Sequence, residues 1–408
     1  MRAGSWVSIV AVFLFGVVGG STVSKLIPLG ADVSAALGVS TIRFGWLISL
    51  IAVPAALLAL PSGIVVDRFG PKRVLIGAAA TVFLANAIYV FSHSLIAFEL
   101  ARVLEGAAIV HIYTAGPALL MSTVDGSRRT VAMTVWSAYM PVGTAVGMVI
   151  GGVFAGTADW RFGFAIHGAL LLTVGSLGLF LPATAAPSGP GPSLSKRILD
   201  LRLAYARPRL LLLGLSFLLL VMMGLGVNTV FPGYAARLHH LRMSAASSVV
   251  ALATLVMAPG SVFTGILLAR GLRPRTAFLV IAVFAFVVGA LSFLPGPTAP
   301  VRFAILALWF MATGAAMAVA ISTLPLLAEP ERRGAAAALL NQAGAVATFI
   351  SPPLWLALSA SGDWRPLIAL LAVGWALTSV CLRLAIGRAQ PAAAIAAPSA
   401  ALPHPTVH

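Results

Sequence analysis

The sequence predicts an all-α integral membrane protein, with twelve spanning helices in two pseudo-symmetric six-helix bundles. Three observations carry that reading. Of the 408 residues, 60% are hydrophobic and only 9% are charged, with a mean hydropathy of +1.04. A soluble domain carries about a quarter of its residues as charges, whereas a chain solvated by lipid needs no such cover. Twelve mostly apolar runs reach the roughly 20 residues that cross a bilayer at 1.5 Å per residue. Finally, short residue patterns recur along the chain at an offset close to 204.

The runs of the first half fall at 6–28, 42–64, 74–92, 95–121, 131–155 and 162–182. Those of the second half fall at 209–231, 245–269, 276–294, 300–327, 335–358 and 365–386. The first run, between Arg2 and GGSTVS, has the outline of a signal peptide, but its length and the eleven runs behind it read as a retained span. Residues 184–207, ATAAPSGPGPSLSKRILDLRLAYA, interrupt the pattern. A Pro/Gly/Ser stretch passes there into a basic amphipathic segment expected to lie along the membrane surface. The expected organisation is thus a bundle over 1–183, a linker over 184–207, a second bundle over 208–387 and an Ala/Pro-rich, disordered tail over 388–408.

Lysines and arginines set the orientation. If the N-terminus is cytosolic, 18 of the 26 lie in cytosolic segments and six in or beside the outer loops, with Lys25 and Arg102 inside spans. Both termini are therefore expected in the cytosol, in a plasma membrane of the bacterial inner-membrane type. The net charge of +16 comes from short clusters between apolar runs, a distribution that argues against nucleic-acid binding. The single cysteine, Cys381, lies in an apolar run and reads as packing.

The two halves repeat each other. Asp159-Trp160-Arg161 returns as Asp363-Trp364-Arg365, Arg128-Arg129 as Arg332-Arg333, Pro28 as Pro232 and Ser40 as Ser244. The segment GIVVDRFGPKR from Gly63 returns as GILLARGLRPR from Gly265. A duplicated six-helix unit of this kind is the parallel-repeat plan of secondary transporters.

With these residues in view, the chain resembles the major facilitator superfamily over nearly its whole length. Gly63, Asp67, Arg68, Gly70, Lys72 and Arg73 fall on that family's loop 2–3 signature, with Pro71 where a base is more usual. ARVLEGAA, from Ala101, is similar to its fourth-helix signature, with Glu105 in place of a glutamine. The resemblance implies a monomeric, gradient-driven carrier of a small molecule, working by alternating access in the bilayer, with no cofactor or metal. No G-x-S-x-G, H-E-x-x-H or P-loop spacing points to an enzyme.

The loop signature has a physical reading. Gly63 is expected to admit a helix of the opposite half, and Asp67 to face the positive N-terminal end of span 11 near Gly334. Arg68 and Arg73 are expected to pair across the gap between the halves, and Lys72 to act as an anchor. In the second copy Ala269 stands where Asp67 does, so gating is expected to be asymmetric.

Intramembrane charge marks function by default. Glu105 is the candidate proton-coupling acid, and it shares a helix face with Arg102 three residues earlier. Lys25 in span 1 reaches a similar depth. A static ion pair, or a lysine snorkelling to the interface, explains the same residues. His111 lies off that face. Asn228 and Thr229 match Ser24 and Lys25 across the repeat and, with Asn341 and Gln342, are candidate cavity residues, though polar helix contacts account for them too. Gly143, Gly147 and Gly151, with Gly152, form a stripe for close packing on span 5. Lys25 and Arg102 favour proton-coupled uptake of a small anion, the preferred reading. Glu105 and the stripe favour a proton-driven drug or metabolite exporter.

Overall fold

The computed structural model describes residues 1–182, 193–329 and 332–387. The Pro/Gly/Ser half of the linker, the expected boundary at 183 and the tail 388–408 lie outside the described residues. Within them the chain is helical, with no strand.

In the first half, α1 (Trp6–Ser24), the pair α3 (Thr41–Ser49) and α4 (Ala52–Phe69), α5 (Pro71–Phe91), α6 (Leu95–Thr123), the pair α7 (Gly126–Ser137) and α8 (Tyr139–Phe154), and α9 (Phe162–Leu179) form six columns. The second half has α11 (Pro208–Leu238), the pair α12 (Met243–Leu255) and α13 (Met257–Ala269), α14 (Pro274–Phe293), α15 (Ala299–Leu327), α16 (Arg333–Ser359) and α17 (Arg365–Ile386). Two shorter helices lie between columns: α2 (Gly30–Leu37) and α10 (Leu194–Tyr205), the latter in the linker. Eleven columns are long and apolar enough to cross a membrane. The column left out is α6, whose first turns carry Glu99, Arg102 and Glu105.

Breaks in three columns share a cause. Proline has no N–H for the carbonyl four residues back and crowds it. Pro54, Pro141 and Pro259 each lie four residues beyond Leu50, Ser137 and Leu255, where α3–α4, α7–α8 and α12–α13 part. The break in α3–α4 is packed tightly: a Cβ added to Gly106 of α6 would lie 2.2 Å from the Ile51 carbonyl oxygen. A similar close approach recurs in the second half at Gly314 of α15, where a Cβ would lie 2.1 Å from the Met257 carbonyl oxygen.

The N-terminus marks the face on which the linker begins. The Met1 amino group donates to Phe180 O (2.6 Å), and Lys72 Nζ donates to Leu179 O and Leu181 O (2.7 Å each), capping the end of α9. On the opposite face the halves meet directly. A Cβ at Gly45 of α3 would lie 2.7 Å from Pro353 Cα of α16, and one at Gly152 of α8 would lie 2.7 Å from Ser247 Cβ of α12. Trp46 and Phe349 add a ring contact at 5.1 Å. On the linker face, by contrast, nothing lies within 4 Å of where a Cβ would stand at Gly334, the start of α16.

Candidate functional site

The break between α3 and α4 leaves the Leu47 and Ile48 carbonyls without their helical partners. Arg102 of α6 supplies them: Nε donates to Leu47 O (3.2 Å) and Nη2 to Ile48 O (2.7 Å). Its Nη1 donates to Thr22 O near the end of α1 (3.0 Å) and to Glu105 Oε2 (2.8 Å). The planar guanidinium fork makes such simultaneous contacts possible.

Glu105 sits at the centre. Its Oε1 accepts from Lys25 Nζ (2.6 Å), and its Oε2 accepts from Arg102 and from the Tyr89 hydroxyl (2.9 Å). Lys25 follows the last residue of α1, which ends four residues before Pro28. Its ammonium also donates to Asn86 Oδ1 (2.6 Å) and lies 3.1 Å from His167 Nδ1, which is in turn 3.1 Å from Asn86 Oδ1. Lys25, Asn86, Tyr89, Arg102, Glu105 and His167 are each at most 1% exposed. Five columns thus build one dry polar cluster inside the first half of the protein.

The sequence reading brings Lys25, Arg102 and Glu105 together, and the structure joins them at ion-pair distance. It does not bring in Ser21, Asn86, Tyr89 or His167. The signal available for two of these was their i, i+3 spacing: Asn86 and Tyr89 share one face of α5.

The other candidates stand apart. Asn228 Oδ1 lies 3.2 Å from the Thr254 hydroxyl, and the Thr229 hydroxyl donates to Leu225 O within α11 (2.8 Å). Asn341 is exposed on α16, whereas Gln342 Oε1 accepts from the Tyr205 hydroxyl of α10 (2.9 Å). His111 Nδ1 lies 2.6 Å from Ala107 O in its own helix. The glycine stripe packs α8 against α1, where the Cβ of Gly143, Gly147 or Gly151 would come within 2.5 Å of Val17 O, Ser21 O or Lys25 O. Gly152 turns to α12 instead.

The loop signature requires a correction. Asp67 pairs with Arg197 Nη2 of α10 (2.8 Å), not with the start of span 11 near Gly334. The room at Gly63 is likewise taken by the Arg197 guanidinium, 2.4 Å from where a Cβ would stand, and not by a helix of the opposite half. The linker helix lies between the two and offers a full charge, which outbids a helix end. Arg68 stacks over the Phe69 ring (5.5 Å), and Arg73 forms no ion pair among the described residues. Gly70 has φ +79° at the turn between α4 and α5, the left-handed region that favours glycine.

Two sets of six helical columns with a charged cluster buried within one set fit a multi-pass membrane transporter, and the family match says the same. The chain belongs to the Major Facilitator Superfamily, whose family model matches residues 7–352. It is 27% identical over 340 residues to the methyl viologen resistance protein SmvA of Salmonella typhimurium, covering 78% of this chain and 68% of that one. It is 33% identical over 190 residues to the cephamycin export protein CmcT of Amycolatopsis lactamdurans, covering 45% and 38%. In eight such curated relatives, the shared stretch spans between 22% and 68% of the relative's own length. In fold it is similar to a bacterial homologue of the human lysosomal transporter Spinster in an inward-facing, occupied conformation (TM-score 0.72, 18% identity, 92% of this chain and 96% of that one).

Proposed function

We propose that the protein is a proton-driven exporter of a small organic compound, working by alternating access in the plasma membrane with its linker face in the cytosol. The observation that supports this best is the state of the two buried cations. Lys25 Nζ lies within hydrogen-bond distance of three protein groups, and Arg102 donates four of its five N–H groups. An anionic substrate would have to break these bonds to be held. A buried cluster of titratable groups is instead suited to exchanging a proton as the halves rock, because burial and neighbouring charge both act on protonation. The names of SmvA and CmcT, for methyl viologen resistance and cephamycin export, support outward movement of organic compounds. Asn228, Thr229, Asn341 and Gln342 are the polar groups proposed along the substrate path.

The test uses proteoliposomes with an imposed pH gradient and methyl viologen as probe. Gradient-driven accumulation is expected, with at least ~10-fold loss in a correctly inserted Glu105→Gln variant, roughly the effect of 1.4 kcal/mol. Gradient-driven uptake of benzoate, absent in Arg102→Gln, would instead establish anion uptake.

A further inference from the structure

Ser21, Asn86 and His167 have no part yet in that exchange, although the cluster is built around them. Asn86 is fixed in orientation: its Nδ2 donates to Val82 O (2.7 Å), so Oδ1 faces Lys25 Nζ (2.6 Å) and His167 Nδ1 (3.1 Å). His167 Nε2 lies 2.9 Å from Ser21 Oγ, whose hydroxyl reaches Val18 O (2.9 Å). Lys25 Nζ, the imidazole and the serine hydroxyl therefore form an unbroken hydrogen-bonded row, each at most 1% exposed.

Hydrogen-bond accounting permits two complete states of this row. With Lys25 as an ammonium, its three N–H groups serve Glu105, Asn86 and His167 Nδ1. The neutral imidazole then carries its proton on Nε2 and donates it to Ser21. In the second state one Nζ proton passes to His167 Nδ1, the Nε2 proton passes to Ser21 Oγ, and the serine proton passes from its contact with Val18 O to water that reaches Ser21 as the halves rock apart. The amine of Lys25 keeps two N–H groups for Glu105 and Asn86, and its lone pair accepts from Nδ1–H. One proton has left, no group is orphaned, and the imidazole is never charged.

The same accounting singles out Lys25. Arg102 does not lose its proton in proteins. Both carboxylate oxygens of Glu105 are already taken by donors from Lys25, Arg102 and Tyr89. Lys25, Arg102 and Glu105 together carry one net positive charge in a dry interior, where charge is costly, and release from Lys25 makes the cluster neutral. Every element packed around His167 is accounted for: α1 presents Ser21 and Lys25, α5 presents Asn86 and Tyr89, α6 presents Arg102 and Glu105 behind Lys25, and α8 has no charged side chain.

We propose that Lys25 is the proton-carrying group of the cluster and that His167 relays its proton to Ser21 by switching tautomer. This rests on the proton-exchange reading above and adds the carrier and the route.

The full-length protein, labelled with 15N-histidine and held in lipid nanodiscs, is titrated by NMR from about pH 6 to about pH 10, a range that spans ordinary His and Lys values. The His167→Gln variant assigns the signal. If it fails to fold, replacing the six other histidines by Gln does so; the four among the described residues, His93, His111, His239 and His240, make no hydrogen bond to the cluster. In wild type the expected course runs from the Nε2–H to the Nδ1–H tautomer with no imidazolium, while Lys25→Arg holds the Nε2–H form throughout. An unchanging tautomer in wild type, an imidazolium signal, or a switch that persists in Lys25→Arg overturns the relay. Methyl viologen transport forms a separate arm. A tautomer switch without gradient-driven transport sinks the exporter reading and leaves the relay standing. Driven transport that survives in both Lys25→Arg and His167→Gln overturns the relay while the exporter reading stands.

Discussion

Four of the five N–H groups of Arg102 go to acceptors on three different columns, and three of those acceptors are backbone carbonyls. A lysine in its place keeps the charge but not the planar fork. Arg102→Lys is therefore expected to leave a buried carbonyl unsatisfied and to lower stability by about 1.5–3 kcal/mol, the scale of a hydrogen bond to a charged group. Glu105→Gln removes the counter-charge of two buried cations and is expected to cost more, about 3–5 kcal/mol. Thermal unfolding of the detergent-solubilised protein ranks them, and a midpoint for Arg102→Lys equal to wild type would show that the carbonyls find other donors. At this scale the sequence was legible where charge stands out against an apolar run, as at Lys25, Arg102 and Glu105. Ser21, Asn86 and His167 were not legible, because neutral polar residues inside spans are common and the register between spans is not written in either one. The carbonyl-capping role of Arg102 depends on a break in another column, which no feature near residue 102 announces.

Among the elements, the positions of the twelve spans followed from apolar length, whereas their breaks did not. Pro61, Pro117 and Pro325 lie inside unbroken helices, so a proline alone does not mark a break. Neighbouring backbone and side chains decide that in the packed protein. The glycine stripe of α8 was legible as a packing surface, but its partner was not. That partner is the end of α1, from Val17 through Ser21 to Lys25 just beyond it. A Cβ at Gly147 would lie 2.4 Å from Ser21 O and 2.9 Å from Lys25 N, both backbone atoms that cannot rotate away. Gly147→Ala is accordingly expected to push α1 aside, costing about 1–3 kcal/mol as overpacking, and to depress transport. Gly77→Ala on α5, where nothing lies within 4 Å, is the control and should leave both unchanged. Equal transport in the two variants would mean that α1 tolerates displacement.

For the whole molecule, α10 lies between the halves and is fastened to both. Arg197 holds Asp67 of α4, the Tyr205 hydroxyl donates to Gln342 of α16, and Arg207 beyond the helix pairs with Glu329 ahead of α16. The hydrogen bond from Arg207 keeps the Glu329 carboxyl below its ordinary value. A depressed carboxylate contributes above the unfolded value and is lost only as pH falls through the lowered one, so this tie persists at neutral pH. Exposed pairs are too weak to hold the fold but enough to bias two states of similar energy. The stronger constraint lies on the opposite face, where Gly45 meets the backbone of Pro353 and Gly152 meets Ser247. Closure there requires the absence of a side chain at Gly45, so Gly45→Leu should wedge that face open. The readout is maleimide labelling of Ser247→Cys, a position buried in the same face, in a background with Cys381 replaced by Ala. Labelling is expected to be slow with Gly45 and at least ~10-fold faster with Gly45→Leu, a change of about 1.4 kcal/mol in the closing equilibrium, and transport should fall because the cycle cannot return. Gly334→Leu, at the open start of α16, should alter neither. Unchanged labelling in Gly45→Leu would mean that the α3–α16 contact yields elsewhere and is not the gate.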